Sequence, residues 1–283
     1  MAMQTDLRKH PVEDVLSHVE TSLHIYLDPQ TLVRKRRSLG ARTNRGTWVR
    51  IEARPLAKIA AQGQAGNGIE AAARLYGIAK PTWFTAVSWH DSPGQTVWRA
   101  DEVELVTAAP VRSSGSLGSD VELSDEWWET LNASLDNLAR QHTTRVATPD
   151  TETITQALVT TEINRVFPDQ VDATITDHEW VPAHADLNWA NLTSPECWIL
   201  DWEDHGLAPR GLDAATLWIS SLTVPTLAER IYRERRTDLE TRSGKLMALF
   251  HCAKVLNDSG AATGPVFELA AGEAAQLVAD LQR

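Results

Sequence analysis

The hydrophobic pattern of the chain changes near residue 107, and this change constrains the fold more than any other feature. Before it, short segments of alternating apolar and polar residues are separated by Gly, Pro, Asn and Asp, which indicates strands and turns. In the segment TWVRIEA, Val49 and Ile51 share one face of the predicted strand. After a stretch of small residues, PVRSSGSLGSD, apolar residues recur every three or four positions and indicate helices. The sequence therefore predicts an α+β chain with a small strand-rich unit over 1–107 and a larger helical unit over 108–283.

The clearest helix prediction lies within SDEWWETLNASLDNLARQHT. Ser124 is a suitable N-cap because its hydroxyl can accept a hydrogen bond from the first turn. One predicted apolar face contains Trp128, Leu131, Leu135 and Leu138. Further helices are predicted over 11–22, 151–165, 212–222, 225–240, 243–257 and 266–282.

Composition and charge disfavour several classes of function. The chain has 283 residues, of which 42% are hydrophobic and 23% charged, as in ordinary soluble globular proteins. The formal net charge of -11 disfavours a nucleic-acid partner, because phosphate binding needs a basic face, and the cluster Arg34–Arg37 is interpreted as a solvated strand end. No apolar run reaches the roughly 18–20 residues of a membrane span, and the N-terminus lacks the apolar core of a signal peptide. We therefore expect a cytoplasmic protein without a membrane partner, and with an oligomeric state that the sequence leaves open.

The stretch HADLNWANLTSPECWILDWED, from His184 to Asp204, concentrates acidic and amide side chains among large apolar ones. Such polar groups are costly to bury without partners, so the stretch indicates either a polar loop or a site for a metal and a phosphate. Oxygen ligands of the kind that Mg²⁺ prefers are supplied by Asn191 and Asp201. A tight hairpin that turns at 194–196 is expected to bring these two residues side by side.

The order of these polar residues matches H-x-D-x-x-x-x-N, the catalytic-loop pattern of protein-kinase-like enzymes, followed ten residues later by the Asp of WILDWED. Here the second motif reads Asp-Trp-Glu in place of the Asp-Phe-Gly of protein kinases, and in this respect the chain resembles the aminoglycoside phosphotransferase family and its choline-kinase-like relatives. That family also tends to carry a Gly-x-Asp shortly afterwards, as RGLDAATLW does here. The residues that carry the resemblance are His184, Asp186, Asn191, Asp201, Gly211 and Asp213.

The resemblance implies a bilobal protein-kinase-like fold. A small antiparallel-sheet N-lobe over 1–107 would bind the nucleotide, and a larger, mostly helical C-lobe over 108–283 would hold the catalytic loop and the substrate site. The implied cofactors are ATP or GTP and Mg²⁺, with the metal on Asn191 and Asp201. The chain would then be a small-molecule O-phosphotransferase.

For four residues of the helical region, their side-chain chemistry and the resemblance together predict a function. Asp186 is expected to orient the attacking hydroxyl or accept its proton. His184 is expected to brace the loop, and Asp213 to tie the loop's backbone from the following helix. For Glu203 two roles stay open, support of the metal site or contact with the substrate.

The nucleotide side of the site is predicted from the strand TWVRIEARP. Arg50 occupies the position of the basic strand residue that holds phosphates in kinase-like folds, with Glu70 as its expected helix partner and Arg54 as the alternative. In the loop GARTNRG, Thr43 and Asn44 are expected to cover phosphates together with backbone N–H groups. The alternatives are a surface strand residue for Arg50, a solvated helix residue for Glu70 and an ordinary hairpin turn for the loop.

The predicted function is ATP- or GTP-dependent transfer of the γ-phosphoryl group to a hydroxyl of a small molecule, and the resemblance implies an antibiotic as acceptor. One alternative is a metabolic or biosynthetic kinase for a choline-like, amino-alcohol or sugar hydroxyl. Another alternative is a catalytically inactive nucleotide-binding module. Arg50, in place of the usual lysine, keeps this alternative open, whereas the presence of Asp186, Asn191 and Asp201 together opposes it. A zinc site is disfavoured because its candidate ligands lack a recurrent spacing; they are His178, His184, Asp186 and His205. Trp189 and Trp202 are interpreted as core residues, with the shaping of a pocket as the alternative.

Overall fold

The computed structural model describes residues 6–57, 59, 67–91, 94–113, 117, 119–149, 152–258 and 264–283. By their internal contacts, the chain divides into two compact units. The first comprises residues 1–74 and 80–107, and the second comprises residues 75–79 and 108–283. Within the predicted small-residue stretch over 110–120, residues 114–116 and 118 lie outside the described residues.

The described part of the first unit is a helix and a sheet, with one further short helix. The helices are α1 (Glu13–Leu23) and α2 (Gly68–Ala72). The strands are β1 (Val33–Arg34), β2 (Ser38–Arg42), β3 (Thr47–Pro55), β4 (Trp83–His90) and β5 (Thr96–Glu104). They form one antiparallel sheet in the order β1-β2-β3-β5-β4, so β3 is a central strand.

The two faces of this sheet differ in character, as the alternation in TWVRIEA predicts. Val49 and Ile51 are 0% and 1% exposed and pack in a core with residues of β2, β5 and α1. The other face of β3 and β5 carries charged residues; they are Arg50, Glu52, Arg54, Arg99 and Asp101. One face therefore stabilises the unit by burial, and the other is available for polar contacts.

The second unit is mostly helical among its described residues. Its helices are α3 (Asp125–Ala139), α4 (Gln156–Val166), α5 (Leu212–Ile219), α6 (Pro225–Glu234), α7 (Arg236–Leu239), α8 (Arg242–Asn257) and α9 (Pro265–Leu281). Its short strands are β6 (Ala109–Pro110), β7 (Trp180–Ala183), β8 (Thr193–Ser194) and β9 (Gly206–Pro209). They form two antiparallel pairs, β6 with β8 and β7 with β9.

Local sequence signals explain where the main helices begin and which faces they bury. The hydroxyl of Ser124 accepts the backbone N–H of Trp127 at 3.2 Å and caps α3, as predicted. Helix α8 is buried along most of its length because it packs against α4, α5 and α9. The single helix predicted over 225–240 is instead two helices, since the chain leaves helical geometry at Arg235.

The small antiparallel sheet and the larger helical unit confirm the predicted α+β class. In the part of the chain that the structure describes, no helix has both the length and the apolar character needed to cross a membrane.

Candidate active site

The loop from His184 to Asn191 links β7 to β8, and its first residues are held by a carboxylate from α5. Asp213 Oδ2 accepts the backbone N–H of His184 at 2.7 Å, and Asp213 Oδ1 accepts that of Ala185 at 2.8 Å. Ala185 has a φ of 70°, in the left-handed region that residues with a Cβ rarely adopt. Because hydrogen bonds to a charged acceptor are strong, this pair can maintain the unfavourable backbone of Ala185.

Asp213 is itself buried, at 9% exposure. Burial raises the pKa of its carboxyl, while His184, the two loop N–H groups and Arg235 oppose that rise. The two hydrogen bonds from the loop to Asp213 therefore depend on the groups that favour its ionised form, namely His184, the two loop N–H groups and Arg235.

His184 connects the loop to the segment that carries Asp201. Its ring is fully buried and lies edge-on to Trp202, with ring centres 4.8 Å apart. Its Nε2 lies 2.8 Å from the carbonyl oxygen of Leu200, and its Nδ1 accepts the backbone N–H of Asp186 at 3.3 Å. These contacts assign the ring proton to Nε2, and they give His184 a bracing position.

Both oxygens of the Asp186 carboxylate are oriented by amide side chains. Asn188 Nδ2 donates to Oδ1 at 2.9 Å, and Asn191 Nδ2 donates to Oδ2 at 2.8 Å. Both amides also donate to the backbone carbonyl of Asp186, at 3.2 and 2.9 Å. Asn188 is a site residue that sequence analysis missed, although its position two residues after Asp186 is a signal for a local side-chain turn.

The electrostatics of Asp186 reflect its surroundings. Burial raises the pKa of its carboxyl, and nearby Asp201 raises it further, while His184, Asn191 and Asn188 lower it. Asp201 has φ 65° and ψ 60°, a left-handed conformation that Asp tolerates better than most residues. The structure thus brings two carboxylates into the same neighbourhood, which is unfavourable unless a cation or proton compensates.

A tight hairpin sets the positions of Asn191 and Asp201. The N–H of Leu200 donates to the carbonyl of Asn191 at 2.8 Å, so Asp201 follows the residue paired with Asn191. Farther along, the N–H of Thr193 donates to the carbonyl of Trp198 at 3.1 Å. The backbone of this segment therefore has the hairpin pairing that the sequence predicts around 194–196.

The donor atoms of this pair fit a hard divalent cation. Asn191 uses Nδ2 to bind Asp186, so its Oδ1 is the atom left for a metal, and Asp201 supplies a carboxylate. Mg²⁺ is commonly held by one or two such protein ligands together with phosphate oxygens and water. Among the described residues, no group of three or more His, Cys, Asp or Glu is arranged to bind a metal ion.

An arginine distant in sequence holds the segment after Asp201. Arg145 Nη2 donates to the carbonyl of Glu203 at 2.8 Å, and Arg145 Nε donates to that of His205 at 3.0 Å. The hydroxyl of Thr148 donates to Asp204 Oδ1 at 2.5 Å. Sequence analysis missed Arg145 and Thr148 because their partners lie more than 50 residues away. The role of the Glu203 side chain stays a prediction.

The two tryptophans of the motif are core residues. Trp189 and Trp202 are 4% and 1% exposed. Their indole N–H groups donate to Ser221 Oγ and to the carbonyl of Ile199, each at 2.8 Å. The burial and these bonds agree with the interpretation as core residues whose rings anchor the loop from inside, and the shaping of a pocket stays an untested alternative.

In the first unit, Arg50 lies on the charged face of β3 with its side chain 39% exposed. It forms an ion pair with Glu52, which also accepts Arg54 Nη2 at 2.8 Å. Both candidate phosphate-binding arginines thus share one carboxylate on their own strand. Their binding of phosphate stays a prediction.

Glu70 in α2 has a different partner from the one expected. Its Oε2 lies 3.0 Å from Nη2 of Arg99 in β5, and the same nitrogen lies 2.6 Å from Oδ1 of Asp101. The expected pair of Glu70 with Arg50 is therefore wrong, because the partner of Glu70 is Arg99 on β5, the strand next to β3. Sequence analysis did not consider Arg99, since strand order cannot be read from the local pattern.

The side chains of Thr43 and Asn44 take part in the turn between β2 and β3. Asn44 Oδ1 accepts the backbone N–H of Tyr26 at 2.9 Å. Thr43 Oγ1 lies 2.6 Å from Thr47 Oγ1 and accepts the backbone N–H of Arg45 at 3.1 Å. These bonds give an anchored hairpin turn, and the expected covering of phosphates by these two residues stays a prediction.

Comparison with known proteins identifies the fold. No family model matches the chain, and no curated protein matches it. Solved structures do match over nearly its whole length. Amicoumacin kinase hAmiN, in complex with AMP-PNP, Ca²⁺ and Ami, shares 10% identity at a TM-score of 0.53, covering 93% of each chain.

Two further structures match to the same degree. Macrolide 2'-phosphotransferase MphH from Brachybacterium faecium shares 15% identity at a TM-score of 0.53, covering 92% of this chain and 97% of that one. The GDP and kanamycin complex of APH(2")-IIia shares 13% identity at a TM-score of 0.54, covering 95% and 98%. These likenesses confirm the predicted bilobal protein-kinase-like fold, and they confirm the resemblance to small-molecule phosphotransferases at the level of the fold.

Proposed function

We propose that the protein transfers the γ-phosphoryl group of ATP or GTP to a hydroxyl group of a small molecule. The observation that carries this proposal is the Asp186 carboxylate, whose two oxygens are each oriented by an amide from Asn188 or Asn191. A second carboxylate, Asp201, lies in the same neighbourhood. Placing like charges together in a partly buried site costs stability, which is typical of a site selected for chemistry.

Asp186 is the group that acts on the acceptor. Its raised pKa suits a carboxylate that takes the hydroxyl proton as the new bond from oxygen to γ-phosphorus forms. The bond from γ-phosphorus to the β-phosphate oxygen breaks, and the nucleoside diphosphate leaves. Because such transfers proceed through a loose transition state, orientation by Asn188 and Asn191 contributes more than covalent chemistry from the protein.

Asn191 and Asp201 are the residues that would hold Mg²⁺. When bound there, the cation neutralises negative charge on the transferred phosphate group. The protein's own contribution is geometric, because the hairpin pairing of Asn191 with Leu200 sets the position of Asn191 in space relative to Asp201.

Arg50 is the residue that we assign to the nucleotide phosphates, with Arg54 as the alternative. A guanidinium binds phosphate oxygens in a bidentate manner, unlike the point charge of lysine. The structure adds Arg99, which lies on the same face of the sheet and pairs with Glu70. The complexes of hAmiN with AMP-PNP and of APH(2")-IIia with GDP support a nucleoside triphosphate without deciding its base.

An antibiotic is the acceptor that we favour. The matching structures include a macrolide 2'-phosphotransferase and a kanamycin complex, and both concern antibiotics. The competing acceptors are the choline-like, amino-alcohol and sugar hydroxyls of metabolic kinases. A cytoplasmic location goes with this proposal because nucleoside triphosphates are available there.

Two experiments test the proposal in sequence. Calorimetric titration of the purified protein with ATP and with GTP, each with and without Mg²⁺, is expected to show Mg²⁺-dependent binding. A mass screen of antibiotics and of choline-like, amino-alcohol and sugar compounds is then expected to find a product heavier by one phosphoryl group. Absence of binding up to about 1 mM nucleotide, the upper range of usual KM values, would contradict the proposal and favour an inactive module.

A further inference from the structure

A buried arginine lies where α6 ends and α7 begins. The side chain of Arg235 is 4% exposed, and its backbone, with φ -109° and ψ 23°, separates the two helices. Burying a guanidinium is unfavourable unless its charge and its donors find partners. The buried charge of Arg235 must therefore be stabilised by partners inside the second unit.

In the described part of the second unit, hydrogen-bond partners satisfy the two terminal nitrogens of the Arg235 guanidinium but not its Nε. Nη2 forms ion pairs with Asp238 and, at 2.9 Å, with Asp136, and Nη1 lies 3.3 Å from Asn132 Oδ1. Its Nε is buried and has no hydrogen-bond partner within the part of the chain that the structure describes. Arg235, Asp238 and Asp213 line one small cavity of about 30 Å³, which has room for a water molecule.

The buried charge at this cavity comes from one arginine and two carboxylates. Asp238 is shared by Arg235 and Arg210, the latter through an Nε–Oδ1 distance of 3.0 Å. The side chains of Arg210 and Asp136 are each 47% exposed, so water screens both of these charges. Among the described residues that line the cavity, Arg235 is therefore the buried cation, and Asp238 and Asp213 are the buried carboxylates.

Asp213 is the one of these two carboxylates that holds the loop. The charged and titratable groups around it are His184 of the catalytic loop and, across the cavity, Arg210, Arg235 and Asp238. Burial raises the pKa of Asp213, and Arg235 is among the groups that lower it. The cavity thus links the arginine to the residue that holds the loop.

We propose that Arg235 is a positioning residue for the catalytic loop, because its charge keeps Asp213 in the carboxylate form that binds the N–H groups of His184 and Ala185. A carboxylate accepts both N–H groups, whereas a protonated carboxyl turns one of its oxygens into a donor. Loss of one bond would let Ala185 leave its left-handed conformation and would displace Asp186, the next residue. The inference rests on the proposed function only in calling this loop catalytic.

Hydrogen exchange of the full chain tests the inference without any substrate. Protection of the His184 and Ala185 amides would be followed as a function of pH, corrected for the intrinsic pH dependence of exchange. Protection is lost as pH falls through the pKa of Asp213. In Arg235→Gln, that pKa rises because a nearby positive charge is removed, so the midpoint of the loss is expected to move to higher pH. Arg235→Lys keeps the charge and is expected to stay near the wild-type midpoint.

Amides of α9 serve as the internal control for general destabilisation. Equal loss of protection in α9 and at 184–185, or an unchanged midpoint in Arg235→Gln, would overturn the positioning role. If Arg235→Gln does not fold, Asp136→Asn decides, because it removes a half-exposed anion beside Arg235. Its midpoint is expected to move down, and an unchanged or higher midpoint would contradict the inference.

The exchange experiment separates this inference from the proposed function. A protein that binds no nucleotide can still show the Arg235-dependent midpoint, and this result would support the inference while removing the proposed function. A protein that transfers phosphate normally but shows no midpoint shift in Arg235→Gln would retain its function and lose this role for Arg235.

Discussion

The loop from His184 to Asn191 in the second unit and the charged sheet face in the first contain similar residue types in opposite arrangements. On β3 and β5, each acid lies beside an arginine, as in the pairs of Glu52 with Arg54 and Asp101 with Arg99. In the loop, Asp186 instead has a second acid, Asp201, as a neighbour. On the sheet face, three arginines surround two acids and pair with them, whereas in the loop two acids are neighbours, an arrangement that a nearby cation or a proton would stabilise.

This difference shows where the chain gives up stability for chemistry. Ion pairs on a partly exposed sheet contribute about 0–1 kcal/mol each. The loop requires external clamps, namely Asp213 for its backbone and Arg145 for the segment after Asp201. Substitutions in the loop are therefore expected to affect activity more than substitutions on the sheet face.

The largest effect is expected from Asp186→Asn. The change keeps the shape of the side chain and removes the proton acceptor, so kcat is expected to fall by about 10²–10⁴-fold. Phosphorylated product would be quantified by mass spectrometry, and nucleotide affinity by calorimetry is expected to be retained. Wild-type turnover in this variant would remove Asp186 from the mechanism.

The next effect is expected from Asp201→Asn, which removes the carboxylate assigned to Mg²⁺. Affinity for the nucleotide in the presence of Mg²⁺ is expected to fall by about 10–100-fold, since a metal ligand is weakened. Asp204→Asn is the matched control, because Asp204 lies in the same segment and binds Thr148. Equal losses in the two variants, measured by calorimetry, would assign Asp201 a structural role only.

A smaller effect is expected from Arg50→Ala. If Arg50 contacts the phosphates, the nucleotide KM is expected to rise by roughly tenfold, about the value of one charged hydrogen bond. Arg54→Ala and Arg99→Ala provide the comparison, because all three arginines share one face of the sheet. The variant with the largest rise in KM identifies the phosphate contact, and an unchanged KM for Arg50→Ala excludes it from that role.

The smallest effect is expected from Asn44→Ala. Loss of the bond to the Tyr26 N–H is expected to lower the free energy of unfolding by about 1 kcal/mol, measured in urea. The nucleotide KM distinguishes two roles for this turn. A KM that rises without a change in stability would support the covering of phosphates, and the reverse would support a structural anchor.

Sequence analysis could predict features that depend on neighbours along the chain. The alternation in TWVRIEA predicted the buried face of β3, and Ser124 predicted the start of α3. The spacing of polar residues in HADLNWANLTSPECWILDWED predicted the hairpin, since strands joined by a short turn must pair. Each of these depends on interactions over only a few residues.

Features that depend on distant segments could not be predicted in this way. Arg99 pairs with Glu70 because β5, the last strand of the sheet in sequence, lies beside the central strand. The break between α6 and α7 follows from burial of Arg235 against residues of α3, which no helical period reveals. Arg145 likewise donates hydrogen bonds to the carbonyls of Glu203 and His205, which lie about 60 residues away in the sequence.

The tip of the hairpin after Asn191 bears on how the protein can be altered by insertion. Pro195 and Glu196 are exposed, whereas Leu192 and Ile199, which pair with each other, are buried. What keeps Asn191 near Asp201 is this pairing and not the number of residues between them. Extra residues placed at the tip would extend into solvent and leave the pairing in place. A short peptide tag or a fluorescent label can therefore be introduced there, within a few residues of Asn191 and Asp201, as a test of the proposed nucleotide binding.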